Sequence, residues 1–509
     1  MIPMRTAKKT KHKIEYGDFQ TPFPLARKVC SLLSRGGCKP LSVLEPTCGA
    51  GNFLRAALEH FPRVKQAVGV EINDEYVASA RRSVPDAVNG GRVTIIKENF
   101  FTARWEDILG SLPDPLLIIG NPPWVTNAEL GRLGSANLPF KSNFRNEVGI
   151  DAITGKSNFD ISEWMLIRAL EWIRGRQATL ALLCKTAVAR KALLNAWSAG
   201  QSLETSDIYR IDAMKHFGAV VDACLLVVKS SRRARGLDCR IHESLAEEGC
   251  PTVFGYRNRR LVADVQAFER WACLEGEERY KWRSGIKHDC SKVMEVREES
   301  GRYRNGLGEI VDLESEYLYP MLKGADIFRE DPPAPRRWML VTQRFVGADT
   351  SVIRDKAPKT WEYLVRHGAL LDGRGSAIYR KRPRFSIFGV GGYSFALWKV
   401  AISGLYKRLK FKMIGPSQGK PVVLDDTCYL IACRAENEAQ LLTELLNSEP
   451  AGQFFSALIF LDAKRPVTVS VLRRLDLLAV ARELNLEPSL QSYLQSPLEP
   501  HLEPHLDLA

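Results

Sequence analysis

No apolar run in this chain approaches the roughly 18 residues that a membrane-spanning helix needs. The basic residues 1–13 are not followed by the apolar core of an export signal. The 11 cysteines form no C-x-x-C pair, and no cysteine–histidine grouping has metal-ligand spacing. These absences argue against a disulfide scaffold, dithiol redox chemistry and a cysteine–histidine metal site. An odd, scattered set of thiols fits a reducing interior, so a cytoplasmic location is expected. There is no larger internal repeat and no segment that reads as a nuclease.

What is present is an ordinary globular composition, 45% hydrophobic and 26% charged, over 509 residues, enough for two to four domains. The net charge of +13 points to a polyanionic partner or to a merely solubilising surface. Four apolar runs alternate with helical segments, and each ends in a side chain that can hold a ligand. Leu41-Ser42-Val43-Leu44 leads into Glu45-Pro46-Thr47-Cys48-Gly49-Ala50-Gly51 and a helix to about His60. Gly49 and Gly51 let backbone approach a ligand closely, but the turn is not the dinucleotide fingerprint. An anion at Glu45 would repel phosphate and suits a cationic amino acid or sulfonium. The second run ends in Glu71-Ile72, about twenty residues on, where a carboxylate either accepts from ribose hydroxyls or simply ends a strand. The third ends in Asn99-Phe100, either an adenine contact or a polar cap beside a core phenylalanine.

The fourth run, Leu117-Ile118-Ile119-Gly120, delivers Asn121-Pro122-Pro123-Trp124. Two prolines fix the backbone and leave the carbonyls of Asn121 and Pro122 open to an outside donor. With the Asn121 amide oxygen, they can hold both protons of an NH2 group, while Trp124 offers a flat surface for a base, a contact worth roughly 1–3 kcal/mol. The plain alternative is a strand followed by a Pro-Pro turn. Four such strand ends within about eighty residues fit a doubly wound sheet whose ligands bind at the carboxyl edge.

The order Thr21-Pro22, Glu45 to Gly51, Glu71, Asn99-Phe100 and Asn121 to Trp124 resembles the S-adenosylmethionine-dependent amino-methyltransferases of DNA, specifically the gamma group of adenine-N6 enzymes of restriction–modification systems. The resemblance implies an α/β, Rossmann-like catalytic domain followed by an α+β target recognition domain. It implies a cofactor site of Thr21, Glu45, Thr47, Gly49, Gly51, Glu71, Ile72, Asn99, Phe100 and Asn121. Thr21 and Glu45 would lie near the methionine part, Glu71 on the ribose and Phe100 on the adenine. Asn121, Pro122, Pro123 and Trp124 would form the catalytic corner, with Phe217 pressing the flipped base from the other side; the alternative for Phe217 is a core aromatic ahead of a strand. The family usually has Asp at Asn99 and Tyr or Phe at Trp124, and both replacements keep the needed chemistry.

Beyond the corner, residues 125–154 read as a long loop, 156–160 lead into a helix through Trp172, and the apolar run Ala178 to Leu183 reads as the next buried strand. The basic segment 230–235 marks a boundary. The expected domains are 1–230 catalytic, 231–290 connecting, 291–485 target recognition and 486–509 a mobile tail of proline-broken Leu-Glu-Pro units. His288 reads as a turn cap. Residues 374–424 contain no acid, and aromatics such as Tyr379, Phe388 and Tyr406 lie among the cations. Arg380, Lys381, Arg382, Arg384, Lys399, Lys407, Arg408 and Lys410 are the expected contacts to double-stranded DNA.

The expected activity is site-specific transfer of methyl from S-adenosylmethionine to adenine N6 in duplex DNA by base flipping. The chain is expected to act as a monomer, without membrane, and with cleavage left to a separate endonuclease or defence protein. The alternatives are another amine, cytosine N4, an RNA base or a protein glutamine, or a DNA-binding specificity subunit without catalysis.

Overall fold

The computed structural model describes residues 20–85, 87–88, 91–125, 160–246, 251–329, 335–461 and 465–495. It divides into two compact units, Met1–Val265 and Gln266–Ala509.

The first unit is built on one eleven-stranded sheet. Its strands in chain order are β1 (Ser42–Glu45), β2 (Gln66–Glu71), β3 (Ala87–Val88), β4 (Gly91–Lys97), β5 (Leu116–Gly120), β6 (Ala178–Lys185), β7 (Thr205–Asp212), β8 (Asp222–Ser230), β9 (Asp238–His242), β10 (Thr252–Arg257) and β11 (Arg260–Val262). Their spatial order is β11-β10-β9-β7-β8-β6-β5-β1-β2-β4-β3. β1 runs parallel to β2 on one side and to β5 on the other. The chain winds outward from β1 through β2 to β4, then returns to β5 and winds the other way through β6. That reversal between β1 and β5 opens a crevice at the carboxyl ends of the strands, the place where doubly wound sheets bind ligands.

The central strands carry unbroken apolar sequence because both of their faces are covered. β5, Leu-Leu-Ile-Ile-Gly, is buried at every position. The helices Phe23–Arg35 and Asn52–His60 turn Leu25, Val29, Leu33, Phe53 and Leu54 into the same core as Val43, Leu117 and Ile119. Pro24 lies in the first turn of Phe23–Arg35, where its missing N–H costs nothing. Asp160 caps the helix Ile161–Trp172 by accepting from Ser162 N at 3.0 Å.

The strands expected from the sequence near 42, 67, 93, 117 and 178 are all present. The segment expected to connect the domains instead extends the sheet. β9 pairs in parallel with β7, and β10 and β11 follow as antiparallel strands, so the first unit continues to Val265. Asp207 on β7 fixes this edge by accepting from Arg240 Nε at 2.7 Å and pairing with His242 Nε2 at 3.0 Å. The charged run at 230–235 is therefore a turn within the unit.

The second unit holds a six-stranded sheet, including Glu295–Glu299, Arg302–Asn305, Leu318–Leu322 and Arg337–Leu340, and a four-stranded sheet including Trp398–Ser403 and Cys428–Cys433. Helices Glu436–Asn447 and Glu449–Leu458 follow, and the mixture is the expected α+β class. Glu487–Leu494 is a helix with Pro488 in its first turn and Leu490 buried, so this part of the expected tail is ordered. Residues 496–509 lie outside the described residues.

Candidate active site

The crevice at the β1/β5 reversal is an open cleft. It is lined by Thr21, Glu45, Thr47, Gly49, Glu71, Ile72, Phe100, Asn121 and Pro123, together with Gln20, Asn52, Tyr76, Glu98 and Met165, which the sequence reading missed. Strand ends tens of residues apart in sequence thus meet at one place.

The glycine turn is held by Glu71. Its carboxylate accepts from Gly49 N at 2.8 Å, and from Ile72 N and Asn73 N at 2.9 Å each. Glu71 therefore stitches the end of β2 to the turn after β1, and with three bonds accepted it retains acceptor capacity toward the cleft. Gly49 and Gly51 have φ of +51° and +82°, a region that favours glycine. A Cβ on Gly49 would lie 2.5 Å from Gln20 Oε1, and that oxygen accepts from Ala50 N at 3.2 Å. The turn thus closes against the segment ahead of the first helix, where the Thr21 carbonyl accepts from Asn52 Nδ2 at 2.9 Å.

Glu45 is 3% exposed and accepts from Leu54 N at 3.0 Å. Burial pushes its carboxyl well above the ordinary range, and the Leu54 N–H pulls against that shift. A site on Glu45 that brings a cation close would favour the charged form. Glu45, Glu71 and Glu98 all line the cleft, and among the described lining residues none is basic. This electrostatic character disfavours a phosphate ligand and suits a sulfonium with an amino-acid tail. Thr47 Oγ1 is buried without a hydrogen-bond partner among the described residues, a polar atom placed for a ligand. The residues present therefore fit S-adenosylmethionine.

Asn99 differs from its expected role. Its Oδ1 accepts from Phe101 N at 2.9 Å and caps the turn, so it is not among the cleft residues; the preceding Glu98 is. Phe100 does line the cleft, but from within an aromatic cluster, 4.9 Å from Trp105 and 5.6 Å from Trp172 between ring centroids. Gly51 sits behind the turn, where an added Cβ would lie 2.7 Å from Val84.

At the corner, an added Cβ on Gly120 would lie 3.4 Å from Glu45 Cγ, which places Asn121 beside the acidic end of the cleft. Pro122 is buried and Pro123 lines the cleft. Trp124 is 6% exposed, donates from Nε1 to the Leu183 carbonyl at 3.4 Å, and meets Phe217 edge-to-face at 5.1 Å. The two aromatics expected on opposite faces of a base touch each other in this structure. A residue not foreseen, Lys185, fixes the chain after the corner by donating to the Trp124 carbonyl at 3.3 Å and to Asp160 Oδ2 at 2.6 Å. Its only sequence signal was a cation ending an apolar strand.

In the second unit the eight expected DNA contacts separate. Lys399 is excluded as a contact: it is 0% exposed, its Nζ donates to the Ala396 carbonyl, and burial pushes its amine down to about 7. It lies on Trp398–Ser403 at an inward position of a strand buried from Lys399 to Ser403. Arg384 is exposed but paired with Asp372 at 2.8 Å. Arg380, Lys381, Arg382, Lys407 and Arg408 are exposed, and Lys410 is half-buried. The loop carrying Arg380 to Arg384 is strapped to residues 342–350. Thr342 Oγ1 donates to Phe385 O at 2.8 Å, Thr350 Oγ1 donates to Arg384 O at 2.5 Å, and Gln343 Oε1 accepts from Ile387 N at 3.0 Å. His288 caps a turn as expected, accepting at Nδ1 from Cys290 N at 3.2 Å. Among the described residues no cluster could hold a metal ion, and no helix is long and apolar enough to cross a membrane.

No family model matches the chain. It is 30% identical over 144 residues to the Type II methyltransferase M.CvrRI of Paramecium bursaria Chlorella virus XZ-6E, covering 28% of this chain and 34% of that relative. The Type IIL restriction–modification enzyme MmeI, solved in complex with DNA, shares the fold with a TM-score of 0.54 at 14% identity, over 98% of this chain and 71% of that one. The Type II methyltransferase M.NspV of Nostoc sp. is 46% identical over 473 residues, covering 93% of this chain and 98% of the relative. Identity at that level along nearly the whole length means that the chain belongs to the Type II methyltransferases of restriction–modification type.

Proposed function

We propose that the chain methylates the N6 amino group of adenine in a specific sequence of double-stranded DNA, taking the base out of the helix to do so. The observation that carries this reading is the junction of the Asn121 to Trp124 corner with an acidic cleft that has no basic side chain among its described lining residues. S-adenosylmethionine supplies an electrophilic methyl group when bound. Glu45, Thr47, Glu71, Glu98 and the glycine turn would hold it, with Thr21, Ile72, Tyr76 and Phe100 completing the walls.

The chain's own part is to position the amine. Adenine N6 is a poor nucleophile because its lone pair is conjugated with the ring. Hydrogen bonds from its two protons to the Asn121 amide oxygen and the Pro122 carbonyl draw the nitrogen toward a tetrahedral shape and aim the lone pair into the cleft. Orientation of this kind is worth several kcal/mol, within the roughly 7–11 kcal/mol ceiling for well-positioned reactants. No strong base is required, since the nitrogen proton becomes acidic once the methyl is added and leaves to water.

Extruding the base costs a few kcal/mol, which phosphate contacts and stacking offset. Phe217, half-buried beside Trp124, is the aromatic placed to meet the extruded ring. Arg380, Lys381, Arg382, Lys407, Arg408 and Lys410 are the proposed phosphate contacts of the second unit, with Arg384 a weaker one. Cleavage is left to a separate polypeptide.

The test is to incubate the chain with methyl-labelled S-adenosylmethionine and, in parallel, duplex DNA, RNA and protein. Label in duplex DNA is expected. Label in RNA or protein alone would overturn the reading, and failure to bind the cofactor would make the chain a specificity subunit.

A further inference from the structure

We infer that the tip joining β7 to β8, residues 213–221, is an apolar wedge that enters the duplex beside the target adenine and fills the space the extruded base leaves. The inference rests on the base-extrusion reading above and adds to it a second element of the first unit.

The tip reads Ala213-Met214-Lys215-His216-Phe217-Gly218-Ala219-Val220-Val221, with no acid and three large aliphatic side chains turned outward. Met214 is 53% exposed, Val221 37% and Val220 89%, the last the most exposed large apolar side chain among the described residues. A single exposed aliphatic residue needs no explanation, but three in one nine-residue tip mark a surface that meets something apolar. The tip lies at the catalytic corner, since its own Phe217 is the ring that touches Trp124 at 5.1 Å. Val220 and Val221 follow Phe217 by three and four residues in the same tip.

The occupant follows from charge and rigidity. Lys215 is exposed on the tip, and exposed Lys28 lies close enough to His216 to depress its ionisation after burial and Lys215 have done so. An apolar point with Lys215 and Lys28 beside it, and with the bounding carboxylates of Asp212 and Asp222 tied back to Lys215 N and Thr186 Oγ1, fits a duplex, whose phosphates surround stacked, apolar base faces. The tip is also built to hold its shape. β7 and β8 pair without interruption from Thr205 opposite Lys229 to Asp212 opposite Asp222. Asp212 accepts from Lys215 N at 2.9 Å, Gly218 N donates to Met214 O at 3.0 Å, and Thr186 Oγ1 donates to Asp222 Oδ1 at 3.2 Å. A preformed tip loses little freedom on insertion, so more of its contact energy is available to hold the helix open.

The wedge predicts a substrate-dependent defect. The double variant Val220→Ser/Val221→Ser changes exposed side chains only, and its melting temperature and cofactor affinity should match the wild type. Two duplexes carrying the sequence methylated by the wild type are compared: one fully paired, the other with an abasic site opposite the target adenine, where no pairing resists extrusion. On the paired duplex the variant should fall about tenfold or more below the wild type, and on the abasic duplex it should come within about twofold. Equal loss on both duplexes, or no loss on either, would overturn the wedge. Wild-type label on a base other than adenine in the paired duplex would instead overturn the adenine reading itself.

Discussion

The first unit keeps its chemistry where the sequence order places it, and the second scatters it. In the first, side chains as far apart as Thr21, Glu45, Glu71, Phe100 and Asn121 line one cleft. In the second, eight cations within 31 residues of sequence come to include a wholly buried Lys399, an Arg384 paired with Asp372, and exposed Arg380, Lys381 and Arg382. The reason is topological. Every parallel strand of a doubly wound sheet ends at the same edge, so the residue after each strand is automatically a neighbour of the others. A run of loops and antiparallel strands has no common edge. Its alternation sends neighbouring residues to opposite faces, and partners such as Asp372 arrive from outside the run.

The sharpest way to break this contrast is at the corner. Asn121→Ala should lower the methyl-transfer rate by about 10²–10³-fold, as removal of a positioned polar group does elsewhere. Its affinity for the cofactor, read by calorimetry, should stay near the wild type. A comparable loss of cofactor affinity would place Asn121 in cofactor binding rather than on the amine.

Glu71→Ala probes the opposite end of the cleft. Three backbone amides lose their acceptor and the turn loosens, so cofactor affinity should fall by about 2 kcal/mol, roughly thirtyfold. The rate at saturating cofactor should change much less.

In the second unit the expected effects are smaller and differ among residues. Arg382→Ala should weaken DNA binding and lower the salt slope by about one ion, close to 0.9 in log units. Arg384→Ala should do less, because its charge is already shared with Asp372. Equal slopes for the two variants would erase the distinction drawn from the structure.

Lys399→Met should leave the salt slope unchanged and affect stability instead. The amine's folded value, about 7, lies far below its ordinary 10.5. The cost of burial is therefore absent above pH 10.5, grows as pH falls toward 7, and is constant below that. Methionine removes it, so the stabilisation measured by denaturant unfolding should be larger at pH 7 than at pH 9.5. The reverse trend would mean that Lys399 is charged and paired.

How far the sequence could be read follows the same division. The strands β1, β2, β4, β5 and β6 were legible because their apolar runs are short and punctuated by Gly, Pro or Asn. β7 was not, since Thr-Ser-Asp-Ile-Tyr-Arg-Ile-Asp mixes polar and apolar residues on an edge that β9 covers. Asn99 and Glu98 are adjacent, and their sequence does not tell that Glu98 lines the cleft while Asn99 Oδ1 accepts from Phe101 N. Lys185 acts through Asp160 and the Trp124 carbonyl, 25 and 61 residues distant, a bridge no local pattern announces. The boundary placed at 231 failed because basic residues mark exposure, not the end of a sheet.

The central claim is that the amide–proline corner presents an extruded adenine to the cleft, and one measurement addresses it directly. Duplex DNA methylated by the chain with labelled cofactor is digested to nucleosides and resolved by mass. The account predicts label in N6-methyladenine, confined to one sequence; label found only in N4-methylcytosine, or none in DNA, would contradict it.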